Sequence, residues 1–192
     1  MCFESDNLRG DAVKKLNLGC GNRIRKGWVN VDIAPLLGVD VLHDLNQVPF
    51  PFETASCDEI ICEDVLEHVN YIAALRECHR LLVDGGTLHI EVPHFTSSNN
   101  FVDPTHLRQF SVKTFNFFCK GTAETDSRGY YFDFAFSHIR RREIQFHKAG
   151  IFAFNWPISV VVNASYRFQT LYEATGLSRL FPAETLYVDL VK

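Results

Sequence analysis

Short apolar runs broken by glycine and proline fill the first half of the chain. Lys15-Leu16-Asn17-Leu18 runs into Gly19-Cys20-Gly21, a strand meeting a glycine turn. Residues 28–32 give a second strand, 39–42 a short third and 57–62 a fourth. Residues 44–55 carry Pro49 and Pro51 and form a loop. From 70 to 83, Ile72, Leu75, Cys78, Leu81 and Leu82 recur at helical spacing. Asp84-Gly85-Gly86 is expected to stop that helix, with glycine supplying the left-handed cap. Residues 87–92 form a fifth strand closed by Pro93. Strands alternating with crossovers predict an α/β fold with a parallel sheet.

The rhythm breaks between 94 and 121. A polar loop over 96–100 leads to helix candidates near 105–110 and 111–118, the second with Ser111 as its N-cap. Residues 130–136 and 141–147 read as the strands of a long hairpin. Alternation puts Tyr130, Phe132, Phe134 and Phe136 on one buried face. Residues 160–175 predict one helix ended by Gly176, and 185–191 a last strand. No repeat, low-complexity tract or linker interrupts 1–192, so a single domain with an inserted cap over 94–121 is expected.

Composition narrows the function. The 192 residues are 46% hydrophobic, enough for one substantial core. Nineteen basic against 23 acidic residues leave a net charge of −4, so nucleic acid is not the default partner. The one basic cluster, Arg140-Arg141-Arg142, reads as a solvated strand edge. Six cysteines at 2, 20, 57, 62, 78 and 119 form no Cys-x-x-Cys, and read as small buried hydrophobes of a reducing compartment. No signal peptide and no apolar run long enough to span a membrane is present, which predicts a cytoplasmic protein. Phenylalanine is concentrated after residue 94, an aromatic half able to line a pocket or a homodimer surface.

Gly-x-Gly after a strand lets a ligand approach the main chain. Asp32 closes the second strand thirteen residues after Gly19, where a carboxylate can accept hydrogen bonds from ribose hydroxyls. Leu16-Asn17-Leu18-Gly19-Cys20-Gly21, then Val29-Asn30-Val31-Asp32, then Asp44-Leu45 resemble the class I S-adenosylmethionine-dependent methyltransferases. The resemblance continues through Pro49-Phe50, Cys57-Asp58-Glu59-Ile60-Ile61, Leu66-Glu67-His68-Val69 and Leu81-Leu82-Val83-Asp84-Gly85-Gly86. It implies a doubly wound, mostly parallel, Rossmann-like sheet of seven strands with a final antiparallel strand, a cofactor-binding half over 15–93 and an acceptor-side half over 94–192. Gly19 and Gly21 would face the methionine part of S-adenosylmethionine, Asp32 the ribose, Asp44 and Leu45 the adenine, and Glu63 the sulfonium.

The chain departs from the family pattern in three places. Asn17, at a cofactor-facing position, stands where the family often has an acid, so no charge contact to the cofactor's amino group comes from it. The third glycine is replaced, since Asn22 and Arg23 follow Gly21. Six residues separate Gly21 from Trp28, whereas a parallel crossover usually takes about a dozen. The first helix is therefore expected to be stunted or replaced by a loop, with residues 1–14 available to cover the opened side. Lacking the third glycine and the helix, the turn does not suit NAD or FAD.

On the acceptor side, Pro93-His94-Phe95, Asp103-Pro104-Thr105-His106 and Phe110-Ser111 resemble a bacterial methyltransferase subgroup associated with sugars and glycans. Three readings stand open. His106 or His94 is a general base that deprotonates a hydroxyl. His94, Asp103 and His106 bind a divalent metal. Asp103 merely caps a helix beginning at Pro104. Glu63-Asp64-Val65-Leu66 stands where amine methyltransferases carry Asn-Pro-Pro-Tyr or Asp-Pro-Pro-Tyr, which disfavours exocyclic-amine acceptors. His68, His79 and His89 read as packing residues. The expected function is O-methylation of a small hydroxylated acceptor, such as a sugar or secondary metabolite, with a histidine base. The alternatives are a non-catalytic cofactor-binding or regulatory domain and a protein or carboxyl methyltransferase.

Overall fold

The structure is a computed structural model and describes residues 15–192, so the expectation placed on residues 1–14 and on Cys2 lies outside the described residues. The elements follow in the order β1 (Lys15–Leu18), β2 (Val29–Asp32), β3 (Val41–Leu42), β4 (Cys57–Glu63), α1 (Tyr71–Leu81), β5 (Leu82–Pro93) and α2 (Asn99–Val102). Then come α3 (Ala123–Arg128), β6 (His138–Gln145), α4 (Asn155–Asn163), α5 (Tyr166–Ala174), α6 (Leu177–Leu180) and β7 (Thr185–Val191). The seven strands form one sheet in the order β3-β2-β1-β4-β5-β7-β6. β1 to β5 run parallel; β7 is antiparallel to both β5 and β6. The strand order reverses between β1 and β4, which opens a crevice at their carboxyl ends.

Apolar residues of the central strands supply the core: Leu16, Leu18, Ile60, Cys62, Leu88, Ile90, Leu186, Val188 and Leu190 are all buried. α1 lays Ala74, Leu75, Cys78 and Leu81 on this sheet. Its N-cap is Asn70, whose side chain accepts from the Ala73 N–H at 3.4 Å. The five cysteines among the described residues are free and buried. No helix among the described residues is long and apolar enough to cross a membrane.

The short first crossover holds no helix, as its length requires, and neither do those from β2 to β3 and from β3 to β4. Elsewhere the elements differ from the sequence pattern for local reasons. α1 ends at Leu81 because Leu82 is already extended (φ −66°, ψ 143°); the glycine pair bends β5 and does not cap the helix. Residues 105–110 make no helix. Asp103 Oδ1 accepts from the Thr105 N–H at 2.8 Å, a local Asx turn, and the Leu107 N–H reaches across to the Glu67 carbonyl at 2.8 Å. Within 111–118, only a short 3₁₀ turn over Thr114–Phe118 forms, and a single helical turn, α2, occupies part of the polar loop.

The hairpin over 130–147 is absent. Residues 129–131 form a 3₁₀ turn and Tyr130 is exposed, while Phe134 and Phe136 pack on Phe118 and His79. The alternation there is satisfied by aromatic packing, and β6 instead pairs with β7. The predicted helix over 160–175 is two helices. Ser165 is extended (φ −162°, ψ 160°), and its side chain caps α5 by accepting from the Phe168 N–H. Arg142 is not a solvated edge: it lies 4.3 Å from the Tyr166 ring centre and donates to Asn116 Oδ1 at 2.6 Å.

Candidate active site

The glycine turn closes β1 with two left-handed residues, Gly19 (φ +66°) and Gly21 (φ +49°). A Cβ on Gly19 would lie 2.2 Å from Val65 Cγ2, so the loop after β4 can pack against the turn only if that side chain is absent. A Cβ on Gly21 would meet nothing within 4 Å, leaving free space against the main chain. The Gly21 N–H donates to Asp32 Oδ2 at 2.7 Å, and the Ala34 N–H to Asp32 Oδ1 at 2.9 Å. A carboxylate offers about four acceptor positions, so Asp32 keeps lone pairs for ribose hydroxyls after bracing the turn.

A polar network replaces the missing helix. Buried Asn17 donates through Nδ2 to the Arg23 carbonyl at 2.9 Å and to Asn30 Oδ1 at 3.0 Å. Because a carbonyl only accepts, this orientation of the Asn17 amide is fixed. Asn30 in turn accepts from the Arg25 N–H at 2.8 Å, and its own N–H donates to Asp40 at 2.8 Å. The amide of Asn17 is thus committed to the loop. Glu63, at the end of β4, pairs with Arg25, and the next residue, Asp64, pairs with Arg23 at 2.7 Å. Burial, followed by repulsion from Asp64 and Glu63, pushes the Glu91 carboxyl up from its usual range. The arginines of the glycine loop therefore sit against a cluster of acids at the ends of β4 and β5. Beyond β3, Asp44 Oδ1 accepts from the Asn46 N–H at 2.9 Å, and Leu45 is buried in the core.

Beside this crevice lies a cavity of about 220 Å³, lined by Asp64, Glu67, His68, Pro93, Asp103 and His106 among others. Glu67 is 0% exposed, and neither of its carboxylate oxygens has a hydrogen-bond partner. Burial, reinforced by the charges of Asp64 and Asp103, pushes its pKa up to about 7. The His106 side chain is 8% exposed, and its buried Nδ1 is also unpartnered. His68 and His106 meet edge to face with ring centres 4.7 Å apart. His68 Nδ1 lies 2.8 Å from Thr105 Oγ1, which donates to Asp103 Oδ1 at 2.6 Å. The Thr105 hydroxyl, followed by the Thr105 backbone N–H, holds the Asp103 carboxyl below its usual range.

His94 does not join this group. It is 0% exposed, with Nε2 3.0 Å from Glu173 Oε1 and Nδ1 2.7 Å from Thr96 Oγ1. Glu173 also accepts from the Val112 N–H at 2.8 Å, so the pair ties α5 to the cap. The set of His94, Asp103 and His106 is therefore not assembled. The group that meets is Glu67, His68 and His106, one donor atom of each lying within 4.8 Å of the others. Asp103 caps no helix; it braces Thr105 and lines the cavity. Glu67 was missed, and His68 read as packing, because both precede His106 by almost forty residues. The available signal was a lone acid in the apolar run Val65-Leu66-Glu67-His68-Val69.

Residues 16–90 match a family model described as a methyltransferase domain. An uncharacterized protein of Methanocaldococcus jannaschii is 32% identical over 79 residues, which are 36% of this chain and 35% of that protein. The chain thus matches about a third of the length of this curated relative. A solved S-adenosylmethionine-dependent methyltransferase from Archaeoglobus fulgidus superposes with a TM-score of 0.55 at 17% identity, covering 93% of this chain and 86% of that one. A phosphoethanolamine N-methyltransferase of Haemonchus contortus, solved with S-adenosyl-L-methionine, gives a TM-score of 0.55 at 15% identity, covering 95% and 49%. At these identities the likeness to the solved structures is one of fold.

Proposed function

We propose that the chain is a class I S-adenosylmethionine-dependent methyltransferase that O-methylates a small hydroxylated acceptor, such as a sugar, held in the cavity beside the glycine turn. One observation carries the reading: a small cavity opens at the ends of β4 and β5, and its wall holds a buried glutamate and a buried histidine nitrogen that have no partner within the protein.

The donor set fits the cofactor. Gly21 leaves room against the main chain, Asp32 has spare acceptor positions for a ribose, and the acids at the end of β4 favour a cationic sulfonium. S-adenosylmethionine, when bound, supplies an already activated methyl group. In this reading Asp44 and Leu45 would flank the adenine, and Glu63 would stand near the sulfonium. The remaining task is to align a hydroxyl, shield it from water and remove its proton. His106 is the residue on which that proton loss depends, since its Nδ1 has no hydrogen-bond partner within the protein. His94, held by Thr96 and Glu173, positions the cap.

Two variants test this. Asp32→Ala is expected to lose S-adenosylhomocysteine binding. His106→Ala is expected to keep that binding and to lose about 10²–10⁴-fold in turnover on a hydroxyl acceptor, the range of a general-base contribution. Full turnover by His106→Ala would remove the role from His106.

A further inference from the structure

We infer that Glu67, His68 and His106 form a divalent-cation site within the acceptor cavity. Their donor atoms already converge to within 4.8 Å of one another. The convergence stands beside a second, independent fact: Glu67 is completely buried with both oxygens unpartnered, and His106 Nδ1 is buried and unpartnered as well. Buried polar atoms of native proteins are almost always satisfied, and leaving an ionisable group unsatisfied is costly. A cation at the meeting point of the three side chains would satisfy them together.

The surrounding shell prepares His68 as a ligand. The Thr105 hydroxyl has one hydrogen and gives it to Asp103, whose ionised carboxylate can only accept. Thr105 Oγ1 must then accept from His68 Nδ1–H, which places the free lone pair of the neutral ring on Nε2. A histidine held through its other nitrogen by a polar chain ending in a carboxylate is the usual arrangement around a bound metal. Two imidazoles and one carboxylate suit zinc, iron, cobalt or manganese and leave positions open for an acceptor oxygen. Among the described residues no lysine or arginine lines the cavity, while Asp64 and Asp103 add negative charge; Arg23 is paired with Asp64.

The site stands on geometry alone; its role rests on the reading of the cavity as the acceptor site. There it refines what His106 does. A cation held there would make a bound hydroxyl more acidic, and His106 would serve that acidity as a ligand of the cation.

The test is titration of untagged, chelator-treated protein with Co²⁺, followed by its visible absorption, and with Zn²⁺ and Mn²⁺ by calorimetry, without cofactor or acceptor. One cation per chain is expected. His68→Ala and His106→Ala should each weaken it by at least about tenfold, and Thr105→Val, which frees His68, by a similar or smaller factor. Glu67→Gln should also weaken it, and this isosteric change keeps the fold available for comparison by thermal melting. His138→Ala, an exposed histidine outside the cavity, should change nothing. No binding of any of the three ions overturns the inference, as does binding that His68→Ala and His106→Ala leave intact. S-adenosylhomocysteine titrated into the same samples separates the two claims. Cofactor binding without cation binding overturns the cation site alone, and cation binding without cofactor binding overturns the methyltransferase reading alone.

Discussion

Around the glycine turn, polar side chains are spent on one another: both Asp32 oxygens take backbone N–H groups, Asn17 bridges two acceptors, and Arg23 and Arg25 pair with Asp64 and Glu63. In the adjoining cavity, Glu67 and His106 Nδ1 have no partner within the protein. The first pattern is that of a scaffold. With no helix in the first crossover, hydrogen bonds hold the turn in the conformation a helix would otherwise brace. The second leaves interaction energy unused in the free protein and available to a ligand. Apart from Arg25 Nε, which is buried without a partner, polar groups in the same site thus divide into those that build the protein and those that address what it binds.

The contrast can be broken at single residues. The largest effect is expected at Gly19→Ala. A Cβ 2.2 Å from Val65 Cγ2, on a residue with left-handed backbone, should remove roughly 3 kcal/mol of stability or more, read by urea unfolding. Glu67 should produce a pH dependence of similar size. Its folded pKa, about 7, lies above the ordinary value of 4.5. The folded state therefore holds a proton that the unfolded state releases earlier. Stability is complete below the unfolded value, declines as pH rises through the folded value and levels off above it. At ~1.4 kcal/mol per pKa unit, the metal-free protein should lose on the order of 3 kcal/mol across that window, and Glu67→Gln should flatten the loss. Melts of both proteins at pH 5 and pH 8 check this; parallel losses would put the titration elsewhere.

Asn17→Asp sharpens the scaffold side. It replaces two donated hydrogen bonds with a carboxylate facing two acceptors, and should cost about 1–3 kcal/mol. An acid at this position is thus disfavoured by the loop that replaces the first helix. Arg23→Ala is expected to cost least, under about 1 kcal/mol, because its pair with Asp64 is solvent-exposed. A larger loss would show that the arginine does more than neutralise an exposed acid.

The sequence made the first half of the fold legible because glycine turns and apolar strands of a parallel sheet leave local signatures. The absent first helix was readable from spacing alone. The second half was not, and the residues show why. Tyr130 to Phe136 alternate like a strand, yet the buried members are satisfied by aromatic neighbours from other segments. Ser165 offers a cap inside an apolar helical pattern, and only tertiary packing decides that the cap is used. In the site, the glycine turn and Asp32 were visible as neighbours along the chain. The Glu67–His68–His106 group was not, since Leu107 must first pair with the Glu67 carbonyl to bring the two segments together. His94 and His106 looked equivalent in sequence, and burial against Glu173 separates them.

The measurement closest to the central claim is calorimetric titration of the whole chain and of Asp32→Ala with S-adenosylhomocysteine. The account predicts one site on the native chain and at least about tenfold weaker binding in the variant, a loss of ~1.4 kcal/mol. No binding to the native chain, or equal binding to both proteins, would contradict it.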